Sequence, residues 1–191
     1  MNGQYPNKNT LGMLAIVLHA HLPYVRKNEK NSLEEDWLFQ AILECYIPLL
    51  QVIESSQKEN PINTKLTISL SPTLLSLLGN KQIKETFPSW IKTRIEFLNE
   101  LPNNEKKAAE FLVRNLNDKY LFWQKCSGNL VDRFKILNES GNLDILTCAA
   151  THGYLPILRE NPETVKGQIK TAIRSHKEIF GSQPLGIWLP E

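Results

Sequence analysis

Side chains suited to chemistry occur in this sequence directly after short apolar runs that are typical of buried strands. Three of the four histidines and one glutamate share this position: His19, His21, His152 and Glu191. In folds with parallel strands, the carboxyl ends of the strands meet at one edge, and ligands bind there. A carboxylate at that edge is a natural nucleophile or general base. The sequence therefore predicts a functional site where these strands end.

The histidines also allow two other interpretations. His19 and His21 could be buried histidines that are hydrogen-bonded to the backbone and have no role in chemistry. A His-x-His pair at a strand end could instead supply two metal ligands, as in metal-dependent hydrolases. Such a site needs further ligands, and His152 and Glu191 are the obvious candidates. A metal-dependent hydrolase is therefore kept as an alternative.

Four strand-like runs alternate with helical patterns along the chain, which predicts an α/β fold. The predicted strands cover residues 13–18, 65–70, 143–149 and 185–189, and the predicted helices cover 33–55, 72–78, 81–100, 105–139 and 162–180. This order favours a parallel sheet or part of a β/α barrel. A whole barrel takes about 250 residues, so four strands correspond to its first half. Residues 1–10 form the predicted loose leader, and residues 11–191 form the predicted partial barrel.

Several residues mark where the predicted helices begin and end. Ser32 is an expected N-cap, with acidic residues in the following turn where the helix dipole favours them. Asn161 is a second expected N-cap. The prolines that follow Ser71 and Asn161 occupy first helical positions, which are favourable for proline. Gly181 is expected to end the last helix, and Pro48 is expected to kink the first.

The composition indicates one domain with an ordinary surface. The chain is 41% hydrophobic, and its 22 basic and 20 acidic residues are interspersed, so no charge block predicts binding to nucleic acid or to an anionic membrane. The apolar run 11–18 is too short to span a bilayer. Cys45, Cys126 and Cys148 lie in apolar surroundings and are predicted to be reduced core residues. We therefore expect a cytoplasmic protein.

Three stretches carry a resemblance to a known enzyme family. The first is LAIVLHAHLPYVR with the following EEDWLFQAILECYIPLL, the second is GNLDILTCAATHGYLPIL, and the third is GIWLPE. In this order and at this spacing, they resemble the first three signature regions of glycoside hydrolase family 57, especially its α-1,4-glucan branching subgroup. The resemblance covers residues 14–191.

The resemblance implies an incomplete seven-stranded β/α barrel that acts on α-glucans, such as glycogen or starch, by a retaining mechanism. Glu191 aligns with the nucleophile of the family. His19 and His21 correspond to residues that line the donor sugar site. His152 corresponds to the second-region histidine, and Trp188, otherwise typical of a core residue, belongs to the third motif. The resemblance also implies that no metal or other cofactor takes part.

A retaining mechanism needs a second carboxyl group, about 5–5.5 Å from the nucleophile, as acid/base. In the family this group is an aspartate of a later region that lies outside these 191 residues. We therefore expect the 191 residues alone to have negligible glucan-processing activity. They could form the N-terminal part of a branching or transferase enzyme. Alternatively, they could form a non-catalytic half-barrel that binds a glucan or a partner chain through its open edge. Branching, glucan transfer and hydrolysis are all compatible with the three motifs.

Overall fold

The computed structural model describes residues 14–25, 32–59 and 65–190. Within these ranges, the strands are β1 (Val17–Ala20), β2 (Leu66–Leu70), β3 (Leu143–Cys148) and β4 (Ile187–Trp188). The α-helices are α1 (Leu33–Ala41), α2 (Ile47–Glu59), α3 (Pro72–Gly79), α4 (Lys81–Asn99), α5 (Lys106–Lys125), α6 (Leu130–Glu139), α7 (Leu155–Leu158) and α8 (Pro162–Phe180). The predicted leader and Glu191 lie outside the described residues.

The described strands form one parallel sheet in the order β1-β2-β3-β4. Ala20 of β1 lies opposite Leu70 of β2, and Cys148 of β3 lies opposite Trp188 of β4. Since every strand runs in the same direction beside its neighbour in the chain, the carboxyl ends form one continuous edge. The parallel α/β architecture predicted from the sequence is confirmed.

Helices pack against the sheet and bury its apolar side chains. Helices α6 and α8 contact β3, and α3 contacts α6 and α8. Ile68 and Ile145, which face each other on neighbouring strands, are both buried in the resulting core. The helices therefore fix the sheet from one side, and the strand ends are held at defined positions.

An aromatic cluster ties three helices together. It consists of Phe39 of α1, Phe87 and Trp90 of α4, and Trp123 of α5. The ring centroid of Phe87 lies 5.5 Å from that of Phe39, 5.8 Å from that of Trp90 and 4.4 Å from that of Trp123. Because Phe87 touches all three other rings and is fully buried, it is the centre of this cluster.

The helix predicted at 33–55 contains a π-helical segment, Ile42–Tyr46, which joins α1 to α2. The backbone N–H of Ile47 donates to the carbonyl of Ile42, five residues earlier. Proline lacks an N–H group, and its ring clashes with the carbonyl four residues before it. The wider π turn lies just before Pro48. The helix irregularity that Pro48 predicts therefore corresponds to this π-helical segment.

By length and composition, the stretch Leu33–Ser56 could cross a membrane. In the fold it is partly buried by other helices, and two of its acidic residues are paired with residues of those helices. Asp36 forms an ion pair with Arg94 of α4, and Glu54 accepts hydrogen bonds from Arg133 of α6. Paired charges and buried apolar faces are typical of a core helix.

The single helix predicted over 105–139 is wrong, because α5 and α6 are separated by a tight turn at residues 126–129. Ser127 and Gly128 have φ values of 51° and 68°, in the left-handed region. A Cβ atom at Gly128 would lie 2.8 Å from Cζ2 of Trp123. The turn therefore needs glycine where the Trp123 ring covers the backbone. The apolar periodicity of the sequence continues across this turn, so the periodicity alone predicts one helix.

Three smaller predictions also need correction. His19 lies within β1 and not after it. The strand predicted at 185–189 forms a ladder only at Ile187–Trp188. Cys148 is buried as predicted and Cys126 is partly buried, but Cys45 is exposed, because it lies on the solvent side of the π-helical segment.

Candidate functional site

Four side chains that the sequence predicts for the site meet at the carboxyl edge of the sheet. We call them the histidine–tryptophan cluster: His19, His21, His152 and Trp188. They come from β1, the residue after β1, the loop after β3, and β4. Three separate parts of the chain therefore converge, although the chain separates the first from the last by almost its whole length. The remaining predicted residue, Glu191, lies outside the described residues.

The rings of the cluster are in direct contact. Nε2 of His19 lies 2.8 Å from Nε2 of His152, which is hydrogen-bond distance. The His21 ring stacks on the His152 ring with centroids 4.1 Å apart. On the other side, His19 stacks on Trp188 with centroids 5.1 Å apart and planes 11° from parallel. The rings thus form a continuous row, which limits the rotation of each of them.

The bond between His19 and His152 restricts their charge. One Nε2 atom has to carry the proton and donate, while the other has to offer a lone pair. Two imidazolium rings would place two donors and two positive charges against each other. The pair therefore carries at most one positive charge while this bond exists.

The backbone of His152 has an unusual conformation. Its φ is 57°, in the left-handed region that non-glycine residues seldom adopt. A turn holds it there, because the N–H of His152 donates to the carbonyl of Ala149 at 2.9 Å. In addition, Gln168 of α8 accepts from the Thr151 N–H and donates to the Thr151 hydroxyl, both at 2.9 Å. Such strain is found at functional sites, where the surrounding structure compensates for it.

The left-handed conformation gives a stability prediction for position 152. We expect His152→Gly to be more stable than His152→Ala by about 1 kcal/mol, because glycine adopts positive φ without a steric penalty. Urea unfolding of the two variants measures the difference. The matched control is Thr171, exposed within α8, where alanine should be more stable than glycine by about 1 kcal/mol. Equal stability of the two position-152 variants would contradict the assigned backbone strain.

His21 is held neutral by its surroundings. Burial and the neighbouring His152 and His19 rings lower the pKa of His21 from 6.5 to about 4. Its Nδ1 atom lies 2.9 Å from the hydroxyl oxygen of Ser71, the residue that follows β2. Ser71 also caps α3, since its side chain accepts the N–H of Leu74. The helix start predicted at this position therefore also contacts the site.

The lowered pKa of His21 predicts how stability depends on pH. Between about pH 4 and 6.5, the unfolded chain binds a proton at His21 that the folded chain does not bind. The free energy of unfolding should therefore fall as the pH is lowered through this range, and His21→Gln should remove part of the fall. NMR titration of the His21 ring measures the pKa directly. A His21 pKa near 6.5 in the folded chain would be incompatible with this environment.

A match to a protein-family model decides the family. The model for glycosyl hydrolase family 57 matches residues 15–191, which include every residue of the cluster. The chain belongs to this family.

Several known proteins are similar to this chain in sequence or structure. A 1,4-alpha-glucan branching enzyme from Thermococcus kodakarensis is 33% identical over 183 residues, which are 94% of this chain and 27% of that enzyme. A branching enzyme structure from Pyrococcus horikoshii has a TM-score of 0.85 at 36% identity, over 94% of this chain and 34% of that one. The structure of the alpha-amylase AmyC of Thermotoga maritima has a TM-score of 0.82 at 33% identity, over 92% of this chain and 35% of that one.

These similarities confirm the predicted family and the predicted fold, a partial parallel β/α barrel. They also show that the chain spans about a third or less of the length of these relatives. The similar proteins include both branching enzymes and an alpha-amylase, so these similarities alone do not select one reaction.

The geometry of the cluster does not support the metal-ligand alternative. His21 and His152 are stacked face to face, whereas metal ligands point ring nitrogen atoms at one common centre. The Nε2 atoms of His19 and His152 are directed at each other. Across the described ranges, no group of three His, Cys, Asp or Glu side chains is placed to hold a metal ion.

Two residues near the cluster were not predicted as part of the site. Ser71 has a sequence signal, because it ends a strand, but Ser-Pro was interpreted as a helix start. Gln168 has no such signal, since it lies in the middle of α8 and reaches Thr151 only through the packing of that helix. Both hold histidine-bearing segments in place.

Proposed function

We propose that this chain supplies the nucleophile and part of the donor sugar site of a retaining enzyme of the 1,4-α-glucan branching type. The observation that carries the proposal is the convergence of His19, His21, His152 and Trp188 at one edge of a family 57 sheet. The similarity to branching enzymes supports an α-glucan as the substrate. In this proposal, Glu191 is the nucleophile and the cluster binds the donor sugar.

The cluster suits a transition state that carries positive charge. Retaining cleavage passes through a sugar ring with oxocarbenium character. A neutral imidazole can hydrogen-bond the sugar without repelling that charge, whereas an imidazolium would oppose it. The pKa of about 4 keeps His21 neutral near pH 7, and the His19–His152 bond limits that pair to one positive charge. The arrangement therefore favours the donor sugar in its reactive state.

The reaction needs groups beyond the cluster. A retaining enzyme uses an acid/base carboxyl opposite the nucleophile, and none of the four cluster side chains is a carboxylate. We propose that this carboxyl comes from another segment of the complete active site or from a partner chain. The acceptor then determines the product, because a sugar 6-hydroxyl gives a branch and water gives hydrolysis.

We also propose that the protein acts in the cytoplasm on a glycogen-like glucan. The three cysteines are unpaired, and Cys45 is exposed, which is compatible with a reducing compartment.

The donor-site proposal predicts a large effect of Trp188→Ala on glucan binding. One face of the Trp188 ring stacks on His19, so we propose that the other face contacts a sugar ring. Removing a tryptophan anchor costs about 2 kcal/mol of binding free energy, which corresponds to roughly 30-fold in Kd. Calorimetric titration of the chain with maltoheptaose measures this change.

The control variant for this titration is Phe111→Ala. Phe111 lies exposed on α5, which packs against α2 and α4. The Phe111→Ala variant should bind maltoheptaose like the unaltered chain. As a ligand control, a β-1,4-linked oligosaccharide should bind to the unaltered chain more weakly than maltoheptaose. If Trp188→Ala is folded by circular dichroism and binds as tightly as the control, the donor-site role of Trp188 is wrong.

A further inference from the structure

Ser71 has a fully determined set of hydrogen bonds at the edge of the sheet. It is fully buried. Its backbone N–H donates to the carbonyl oxygen of Ala20 at 3.1 Å, and its own carbonyl oxygen accepts the N–H of Leu75 at 3.0 Å. Its hydroxyl oxygen accepts the N–H of Leu74 at 3.1 Å and lies 2.9 Å from Nδ1 of His21. These contacts fix Ser71 against β1 and α3.

The contacts of the Ser71 hydroxyl determine where its proton goes. The N–H of Leu74 can only donate, so it uses a lone pair of the hydroxyl oxygen. A buried hydroxyl group needs an acceptor for its own proton. Among the described residues, the acceptor within reach is Nδ1 of His21. The hydroxyl therefore donates, and Nδ1 of His21 accepts.

We propose that Ser71 is a positioning residue that holds neutral His21 in the tautomer with the proton on Nε2, so that His21 presents a hydrogen-bond donor to the ligand. An imidazole that accepts at Nδ1 carries its proton on Nε2. The ring is already stacked on His152, so Ser71 determines which of the two ring nitrogen atoms carries the proton.

The His21 side chain lies at a cleft. His21 lines a cleft of about 560 Å³ together with Tyr24, Thr73 and Ser76 among others. The described residues of its lining carry hydroxyl groups and a tyrosine ring but no carboxylate, lysine or arginine, which suits a neutral ligand rich in hydroxyl groups. The ligand part of this inference rests on the proposed function, whereas the tautomer does not. A sugar oxygen would accept from Nε2 of His21.

The tautomer can be measured on the chain without any glucan. Long-range ¹H–¹⁵N correlation spectra distinguish the Nε2–H form from the Nδ1–H form of each histidine, and His21→Gln identifies the His21 signals. We expect the Nε2–H pattern for His21 in the unaltered chain at pH 7. An Nδ1–H pattern would overturn the proposal, whatever the variants show.

Variants of Ser71 separate positioning from helix capping. Ser71→Ala should shift His21 toward a mixture of tautomers, while Ser71→Thr, which keeps the hydroxyl, should retain the Nε2–H pattern. Asn80→Ala removes the N-cap of α4 and should lower thermal stability to a similar extent without changing the His21 signals. An unchanged His21 pattern in folded Ser71→Ala would also overturn the proposal.

Glucan binding by the same variants tests the ligand part separately. If Ser71→Ala changes the tautomer and weakens maltoheptaose binding, both parts are supported. If it changes the tautomer but binding is unaffected, the positioning role is supported and the donation to a sugar oxygen is wrong.

Discussion

Phe87→Ala is expected to lower the free energy of unfolding by about 3–5 kcal/mol. Phe87 is fully buried and touches Phe39, Trp90 and Trp123, so its removal leaves a cavity between α1, α4 and α5. Since a domain is stable by about 5–15 kcal/mol in total, this single change should leave the chain only marginally folded. Urea unfolding followed by circular dichroism measures the loss.

Two control variants define the mechanism of this loss. Phe87→Leu keeps most of the apolar volume and should cost clearly less than Phe87→Ala. Phe111→Ala removes the same type of side chain from an exposed position and should change stability by less than about 0.5 kcal/mol. If Phe87→Ala costs no more than Phe111→Ala, the aromatic cluster is not the centre that joins these helices.

Two of the helices that the aromatic cluster joins lie, in the sequence, between two strands that end at the site. Helices α4 and α5 lie between β2 and β3 in the sequence, and the turn after β3 carries His152. We therefore expect a destabilised core to weaken glucan binding indirectly. For this reason, the binding titrations are interpretable only for variants that remain folded.

Much of the site could be predicted because its determinants are local. A run of apolar residues followed within a few positions by a histidine indicates a strand near its carboxyl end, as at His21 and His152. The sequence also correctly predicts the helix N-caps at Ser32 and Asn161 and the end of α8 at Gly181, because each of these depends on one side chain or one glycine. Parallel strand order then brings the strand ends together.

The rest depends on contacts between distant residues. The turn at Gly128 follows from the packing of the Trp123 ring over its backbone, and the apolar pattern on either side does not reveal it. The stacking of His21 on His152 joins residues 131 positions apart, since 152 − 21 = 131. The hydrogen bond between His21 and Ser71 likewise requires the register of β1 and β2. No periodicity or composition encodes these distances.

Glu191→Gln is expected to abolish covalent labelling of the chain by a substrate analogue, and this is the second large effect. In a retaining mechanism, a carboxylate oxygen bonds to the anomeric carbon while the bond to the leaving group breaks. A fluorine-substituted α-maltosyl fluoride releases fluoride without proton donation, so an acid/base carboxyl is not needed for this step. The neutral amide of glutamine is too weak a nucleophile to replace the carboxylate.

Mass spectrometry of the labelled, trypsin-digested chain is therefore the most direct test of the proposed function. The proposal predicts one added maltosyl group on Glu191 in the peptide 178–191, no label in Glu191→Gln, and normal labelling in Glu163→Gln, an exposed residue of α8. Absence of label from the unaltered chain, or a label on a different residue, would contradict the assignment of Glu191 as the nucleophile.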